Sequence, residues 1–332
     1  MIIHLPKNIS YAYVQELADH VGALCLEKAD HFVLITNHTV NQLPATLESM
    51  ALAHWTFNTD MQLSSREYHP DTHRIAIGDT YIGGDGSNQL MIAGPCAIES
   101  REQIEQSCQM LKQHGIRVLR AGCYKPRTSP YTFRGLGEDG LKLLAEMREK
   151  YGLLIATEMR DATHADKVVE YADIVQVGAK AMYDHGLLTA AGQSGKPVIL
   201  KRGFGSTLQE LVNCADFIMS CGNDQVILCE RGIRSFETNT RFTLDLCGVA
   251  WLKQHCNLPV ILDPSHAMGY AYGIGDLARA CTAMGIDGLL IETHPCPQCA
   301  QSDAPQQLDH QQFGEMYTSL KPIAHAVGKT LV

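Results

Sequence analysis

The sequence predicts an α/β protein: a (β/α)₈ barrel of the TIM type preceded by a small N-terminal α+β domain of ferredoxin-like type. Three observations predict it. Eight short runs rich in Val, Ile and Leu recur from about residue 90 to the C-terminus, their starts roughly 20 to 37 residues apart. That spacing suits strand–loop–helix–loop units. The runs are nearly continuous in apolar residues, which marks strands buried on both faces of a parallel sheet. The length of 332 residues accommodates a barrel of about 250 residues plus a small appended domain.

The eight runs are Leu90–Ala97, Arg117–Cys123, Leu154–Met159, Ile174–Ala179, Pro197–Arg202, Val226–Gly232, Pro259–His266 and Gly288–Pro295. Eight such units read as a closed barrel rather than an open sheet. The stretches between them carry helix signals. Ser100 with Gln103 reads as a capping box, Ile104, Cys108 and Leu111 form one face, and Gly115 marks the stop.

Residues 1–65 differ. Ile2–Leu5, Ala23–Glu27 and His31–Thr36 read as strands, and residues 10–21 and 42–53 as helices. A βαββαβ order predicts a ferredoxin-like regulatory or assembly domain. Residues 66–89 read as a linker and a capping hairpin, with Gly78-Asp79 between Ile75, Ile77 and Tyr81-Ile82. Residues 90–332 are then the catalytic barrel.

Bulk composition narrows the function classes. Hydrophobic content of 45% and charged content of 19% describe an ordinary globular chain. A formal charge of −9 argues against a nucleic-acid partner. No apolar run reaches the ~18 residues of a membrane span, and the first residues lack the pattern of a secretory signal. The 12 cysteines are expected to be reduced thiols in a cytoplasmic protein.

Chemistry in such barrels gathers at the C-terminal ends of the strands. Read there alone, the sequence offers two sets. The first is cationic: Arg120, Lys125, Arg127, Lys180, Lys201 and Arg231. So many like charges at one barrel mouth call for phosphate or carboxylate ligands, although a single Lys or Arg taken alone is an ordinary solvated charge. The second set is Cys96, His266 and Glu292, with Asp303 a further candidate. A thiolate, an imidazole and carboxylates suit a divalent transition ion such as Mn, Fe, Co or Zn. Taken singly, Cys96 is equally a core cysteine.

At these residues the chain resembles the 3-deoxy-D-arabino-heptulosonate-7-phosphate (DAHP) synthases, in the type I beta branch that carries a ferredoxin-like N-terminal domain. The resemblance rests on Ala93-Gly94-Pro95-Cys96, Lys125-Pro126-Arg127-Thr128-Ser129-Pro130-Tyr131, Lys201-Arg202-Gly203, Cys229-Glu230-Arg231-Gly232-Ile233-Arg234, Asp263-Pro264-Ser265-His266 and Ser302-Asp303. It implies a transferase that joins phosphoenolpyruvate to erythrose 4-phosphate at the entry to the shikimate pathway and aromatic amino-acid biosynthesis. Carried over, Cys96, His266, Glu292 and Asp303 would be the metal ligands. Arg120, Lys125, Lys180, Lys201 and Arg231 would bind phosphoenolpyruvate. Lys125, Pro126, Arg127, Thr128 and Ser129 would bind the aldose phosphate, and Lys125, Glu158 and His266 would be catalytic. The resemblance also implies a homotetramer inhibited by tyrosine or phenylalanine.

Two features depart from the pattern. Gly178-Ala179-Lys180 stands where the family usually has Gly-Ala-Arg, which keeps the charge but loses the bidentate fork. Cys296-Pro297-Gln298-Cys299 lies just beyond Glu292. With no second pair beside it, two free thiols are expected, and oxidation to a pair would be expected to disturb the metal site. The octulosonate-8-phosphate synthases, which use a five-carbon aldose phosphate, share the barrel chemistry. The Lys-Pro-Arg-Thr-Ser segment and the extra N-terminal domain disfavour them. A catalytically silent amino-acid sensor is disfavoured by the intact site sets.

Overall fold

The computed structural model describes residues 1–125, 129 and 131–332. The chain begins with β1 (Ile2–Pro6), α1 (Tyr11–Val21), β2 (Leu24–Glu27) and β3 (His31–Ile35). β4 (Ala53–Trp55) completes an antiparallel sheet in the order β2-β3-β1-β4. α1 forms because Ser10 accepts the Tyr13 N–H at 3.3 Å and Gly22 closes the other end. Its buried Val14, Leu17 and Ala18 share a core with Ile3, Leu5, Phe32 and Leu34.

The helix expected over residues 42–53 does not form. The segment is a set of turns, with the Leu47 N–H on the Pro44 carbonyl at 2.8 Å and the Met50 N–H on the Leu47 carbonyl at 3.0 Å. Leu52 already donates to the His4 carbonyl at 2.8 Å, and Ala53 pairs with His4. The edge strand thus captures the chain before a regular helix can propagate past its costly first turn.

A second hairpin follows, β5 (Arg74–Ile77) and β6 (Thr80–Gly83). Then come the barrel strands and their helices: β7 (Asn88–Gly94), α2 (Arg101–Gln113), β8 (Val118–Arg120), α3 (Glu138–Tyr151), β9 (Leu154–Met159), α4 (Ala165–Tyr171) and β10 (Ile174–Val177). They continue with α5 (His185–Gln193), β11 (Val198–Lys201), α6 (Leu208–Ser220), β12 (Val226–Glu230), α7 (Leu246–His255), β13 (Val260–Leu262), α8 (Pro264–Met268), α9 (Ile274–Ala283) and β14 (Gly288–Glu292). The parallel strands pair in sequence, and β14 pairs with β7 through Gly288↔Leu90 to Glu292↔Gly94, which closes the barrel. α10 (His310–Ala326) and β15 (Thr330–Leu331) finish the chain, β15 lying parallel to β7.

Each predicted run overlaps one barrel strand, β7 starting two residues before its run, and most runs extend past the strand at the C-terminal end. The overshoot has a physical cause: the last residues leave the sheet to carry the polar site. His266 in particular stands not on a strand end but within α8, whose N-cap is Asp263 and whose first residue is Pro264. The capping box at α2 is half formed. Ser100 accepts the Gln103 N–H at 3.1 Å, while the Gln103 side chain turns to the Glu99 N–H and the Ala97 carbonyl.

Two cores divide the barrel's apolar residues. Inside, Leu90, Val118, Ile174, Ile199, Ile227 and Ile261 pack with Ile75, Ile77 and Ile82 of the β5–β6 hairpin. The hairpin therefore fills the N-terminal end of the barrel, which leaves the opposite end to the polar residues. Between strands and helices lies the larger core, which runs on through Phe57, Met61 and Leu63 to Ile2, Leu26 and Val33 of the N-terminal sheet. Asp216 of α6 accepts the Gln62, Leu63 and Ser64 N–H groups at 2.7, 3.2 and 2.8 Å, and so ties the preceding segment to the barrel wall. Among the described residues no helix is long and apolar enough to cross a membrane.

Candidate active site

The C-terminal ends of β9 to β13 surround a cavity of about 380 Å³. Of the residues singled out from sequence, Lys125, Glu158, Lys180, Lys201, Arg231, His266 and Asp303 line it. Cys96, Arg120 and Glu292 are buried and are joined to this group by direct contacts. Ser129 is not among the lining residues; its hydroxyl accepts the Tyr131 N–H at 3.3 Å. Pro126, Arg127 and Thr128 lie outside the described residues.

Three donors of the predicted metal set come together. The ligand atoms of Cys96, Glu292 and Asp303 lie within 4.8 Å of one another. The Cys96 sulfur is 3.2 Å from the Ser302 hydroxyl and 3.3 Å from the Asp303 carboxylate. Burial, then Glu292, pushes the Cys96 thiol up to about 12, and the sulfur donates to Asp303. Asp303 is the one non-glycine residue with positive φ (50°) among the described residues. Such strain persists only where surrounding contacts hold it; here they are Arg241 at 3.5 Å and the Gln306 N–H, which donates to the Asp303 carbonyl at 3.2 Å.

His266 joins from the side. Its Nε2 is 3.5 Å from Glu292 and its Nδ1 is 2.7 Å from Asp263. Burial holds the imidazole below its ordinary pKa, against the pull of Asp263 and Glu292. A neutral ring that gives its Nδ1–H to Asp263 keeps the Nε2 lone pair for the cluster, the usual way a second carboxylate orients a ligand histidine. A thiol, two carboxylates and this nitrogen fit a divalent transition ion. Glu292 pairs with the Arg120 guanidinium and accepts the Gln306 amide at 2.6 Å. Burial alone would raise its pKa, but the charges of Arg120 and Lys125 hold it far below the carboxylate range.

The cations fall into two groups. Arg120 faces Glu292, and Lys201 faces Asp263 at 2.6 Å, both pairs buried. Lys180, Arg231 and Arg234 make no ion pair among the described residues, yet all three line the cavity. The Arg231 guanidinium lies over the Phe242 ring, 4.3 Å from its centroid, and Arg234 over Phe204 at 4.6 Å. The two rings are stacked 5.5 Å apart. Cations held against aromatic faces without a counter-charge leave their hydrogen-bonding edges for an anion. Lys125 is buried; desolvation and the neighbouring Arg120 would lower its pKa, but the carboxylates of Glu158 and Glu292 beside it keep it raised. It therefore holds a proton at neutral pH.

Sequence reasoning missed several members. The sequence shows Asp263 and Arg234 only as parts of motifs, and nothing in it singles out Arg241, Phe204 or Phe242. Gln306 and Gln307 were missed too: Gln307 accepts the Cys96 N–H at 3.0 Å and donates to the Ser302 carbonyl at 2.9 Å. Asp263 did leave a signal, since an Asp three residues before a histidine, with Pro between, is a helix N-cap.

Arg202, part of the same motif as Lys201, points elsewhere. It pairs with Glu230 at 2.9 Å and Asp245 at 2.8 Å. The two-free-thiol expectation is corrected: Cys296 and Cys299 form a disulfide. The donor cluster is gathered with that bond in place, so pairing does not disperse it. The other ten cysteines are unpaired.

The family model described as the DAHP synthetase I family matches residues 61–327. A phospho-2-dehydro-3-deoxyheptonate aldolase from Thermotoga maritima is 45% identical over 267 residues, 80% of this chain and 78% of that protein. A 2-dehydro-3-deoxyphosphooctonate aldolase from Thiobacillus denitrificans is 32% identical over 252 residues, 70% of this chain and 89% of that protein. The crystal structure of a Thermotoga maritima phospho-2-dehydro-3-deoxyheptonate aldolase (DAHP synthase) superposes with a TM-score of 0.81 at 38% identity, covering 100% of this chain and 99% of that one. A closed eight-stranded barrel, a thiol–carboxylate cluster beside a cationic cavity, and a family match over most of the length converge: the chain belongs to the DAHP synthetase I family.

Proposed function

We propose that the cavity at the C-terminal end of the barrel is where phosphoenolpyruvate and erythrose 4-phosphate are joined to give DAHP and inorganic phosphate. The chain is a DAHP synthase, acting at the first step of the shikimate pathway. The observation that carries the site reading is the set of cavity cations, Lys180, Arg231 and Arg234, without a carboxylate partner among the described residues. Two phosphorylated substrates bring the negative charge that this set lacks.

Cys96, His266, Glu292 and Asp303 would hold a divalent ion, which when bound polarises the aldehyde carbonyl as a Lewis acid. Lys180, Lys201 and Arg231, with Arg120 and Lys125 beneath, would hold the phosphate and carboxylate of phosphoenolpyruvate. The aldose phosphate would fall to Lys125, Pro126, Arg127, Thr128 and Ser129. Neutralising both substrates lets C3 of phosphoenolpyruvate reach C1 of the aldehyde, which converts an encounter between anions into a positioned reaction. The new alkoxide needs a proton, and Lys125, charged and buried between Cys96 and Glu158, is placed to give one. Water then adds to C2 and phosphate leaves that carbon. Glu158, held by the Gln176 amide at 3.0 Å, is the carboxylate that faces this step.

The N-terminal segment is read as a ferredoxin-like domain over residues 1–65, lacking its second helix. Residues 66–89 are then linker and cap, and 90–332 the barrel, in the type I beta branch. The β-α-β-β start and the central pairing of β1 with β3 support this. A homotetramer in the cytoplasm, inhibited by tyrosine or phenylalanine, follows from the same resemblance. Inhibition assays with each aromatic amino acid test it.

The substrate assignment is tested by assaying erythrose 4-phosphate and arabinose 5-phosphate side by side. The four-carbon substrate is expected to give the higher kcat/KM. A preference for the five-carbon aldose would move the chain to the octulosonate chemistry of its more distant relatives.

A further inference from the structure

After β14 the chain runs from Glu292 to Asp303 before it reaches α10, and both of these residues belong to the donor cluster. Within it, Cys296 and Cys299 are joined as a disulfide, with Cα atoms 5.4 Å apart. Cys299 is an exposed residue and Cys296 a partly exposed one, so the bonded pair lies at the surface. The bond staples a short turn. Cys299 donates its N–H to the Cys296 carbonyl at 2.9 Å, and Cys296 donates its own to His294 Nδ1 at 3.0 Å. Directly after the turn, the Gln301 N–H is held by Glu99 at 2.9 Å, and Ser302 touches the Cys96 sulfur at 3.2 Å. A short chain of contacts thus leads from the sulfur pair to Asp303 and its left-handed backbone.

We propose that Cys296 and Cys299 are a reversible thiol–disulfide site for a dithiol reductant, and that the bonded form orders residues 296–303 so that Asp303 meets Cys96 and Glu292. The link to the donor cluster rests on the metal reading given above. In the reduction, a thiolate of the dithiol attacks the Cys299 sulfur. The protein S–S bond breaks, a mixed disulfide forms, and Cys296 leaves as a thiolate that takes a proton. The second thiol of the reductant then attacks the mixed disulfide, releases Cys299, and leaves the reductant as a cyclic disulfide. Two electrons and two protons pass to the protein, and the reverse step uses the disulfide form of the same couple. Removing a cross-link of this small size frees the enclosed segment enough to weaken a ligand that depends on it roughly ten-fold.

The test uses the full chain in glutathione and dithiothreitol buffers of graded potential. Alkylation and peptide mass analysis read the 296–299 pair. Hydrogen exchange reads residues 296–303, and a fluorescent competitor reads Mn²⁺ affinity. A single two-electron transition of this pair is expected, with faster exchange over 296–303 and roughly ten-fold weaker Mn²⁺ binding in the reduced form. The Cys296→Ser/Cys299→Ser protein should show the reduced values in every buffer. A pair that stays in one state across the range, or equal exchange in both states, overturns the proposal. Failure of Mn²⁺ to bind in either state, with the exchange difference intact, overturns instead the metal reading and the link to it.

Discussion

Asp263 sits at the junction of the two halves of the site, and its replacement by Asn is the sharpest structural perturbation available. The carboxylate is fully buried and accepts from Lys201 Nζ at 2.6 Å, His266 Nδ1 at 2.7 Å and the His266 N–H at 3.0 Å. Burial alone would raise its pKa, yet His266 and Lys201 hold it well below the usual carboxylate range. Asn keeps the shape and one acceptor oxygen but removes the charge. Lys201, itself buried, then faces an amide, and stranding a buried charge this way costs about 3–5 kcal/mol. His266 also loses the partner that fixes its ring, and losing such an orienting contact typically costs about 10–100-fold in metal affinity or activity. Asp263→Asn should therefore lower both the urea midpoint and kcat, and weaken Mn²⁺ binding. Adding Lys201→Met should recover part of the stability, because the stranded cation is gone, while activity stays low. Wild-type kcat and Mn²⁺ affinity within about twofold, or strictly additive stability losses, would refute the argument that Asp263 positions both residues.

Other outcomes follow from particular contacts. Asp216→Ala leaves three backbone N–H groups of residues 62–64 without their acceptor, so a loss of about 3 kcal/mol in urea unfolding is expected; no loss would mean that the segment docks by apolar packing alone. A Cβ at Gly178 would lie 2.3 Å from Glu158 Oε1, so Gly178→Ala should displace that carboxylate while the fold survives. A fall in kcat on the order of 10²-fold is expected, and an unchanged kcat would remove Glu158 from the reaction. His4 is drawn down to about 4, first by burial and then by His31, with Asp30 opposing. An unfolded histidine titrates near 6.5, so between those values the unfolded state binds more protons and stability falls as pH drops. The urea midpoint should decline from pH 7 to 4.5, and His4→Phe should flatten that slope; an unaltered slope assigns the effect elsewhere.

Much of this architecture was legible because barrels leave a strong local trace. A strand such as Ile174–Val177, buried at every position, has to read as a continuous apolar run, and the polar residue after it has to face the open end. That logic located Lys180, Lys201 and Arg231 without any partner in view. It could not locate Asp263 as the group between Lys201 and His266, because their meeting depends on the register of β11 against β12 and β13 and on the turn into α8. Nor could it see that Phe204 and Phe242 back the unpaired arginines, since two loops distant in sequence bring them together. The false helix over 42–53 failed for a similar reason. Leu43, Leu47 and Met50 do stand at helical spacing, but the pairing of Ala53 with His4 is a long-range contact that outcompetes local propensity. Cys296 and Cys299 show the same limit, since their spacing allows free thiols and a disulfide alike.

The most direct measurement is release of inorganic phosphate from phosphoenolpyruvate, with and without erythrose 4-phosphate, in protein stripped by chelator and in protein resupplied with Mn²⁺. Phosphate release is expected only when both substrates and the ion are present, with one seven-carbon keto acid phosphate formed for each phosphate released. Absence of turnover after Mn²⁺, Fe²⁺, Co²⁺ and Zn²⁺ have each been supplied, or full turnover in the stripped protein, would contradict it.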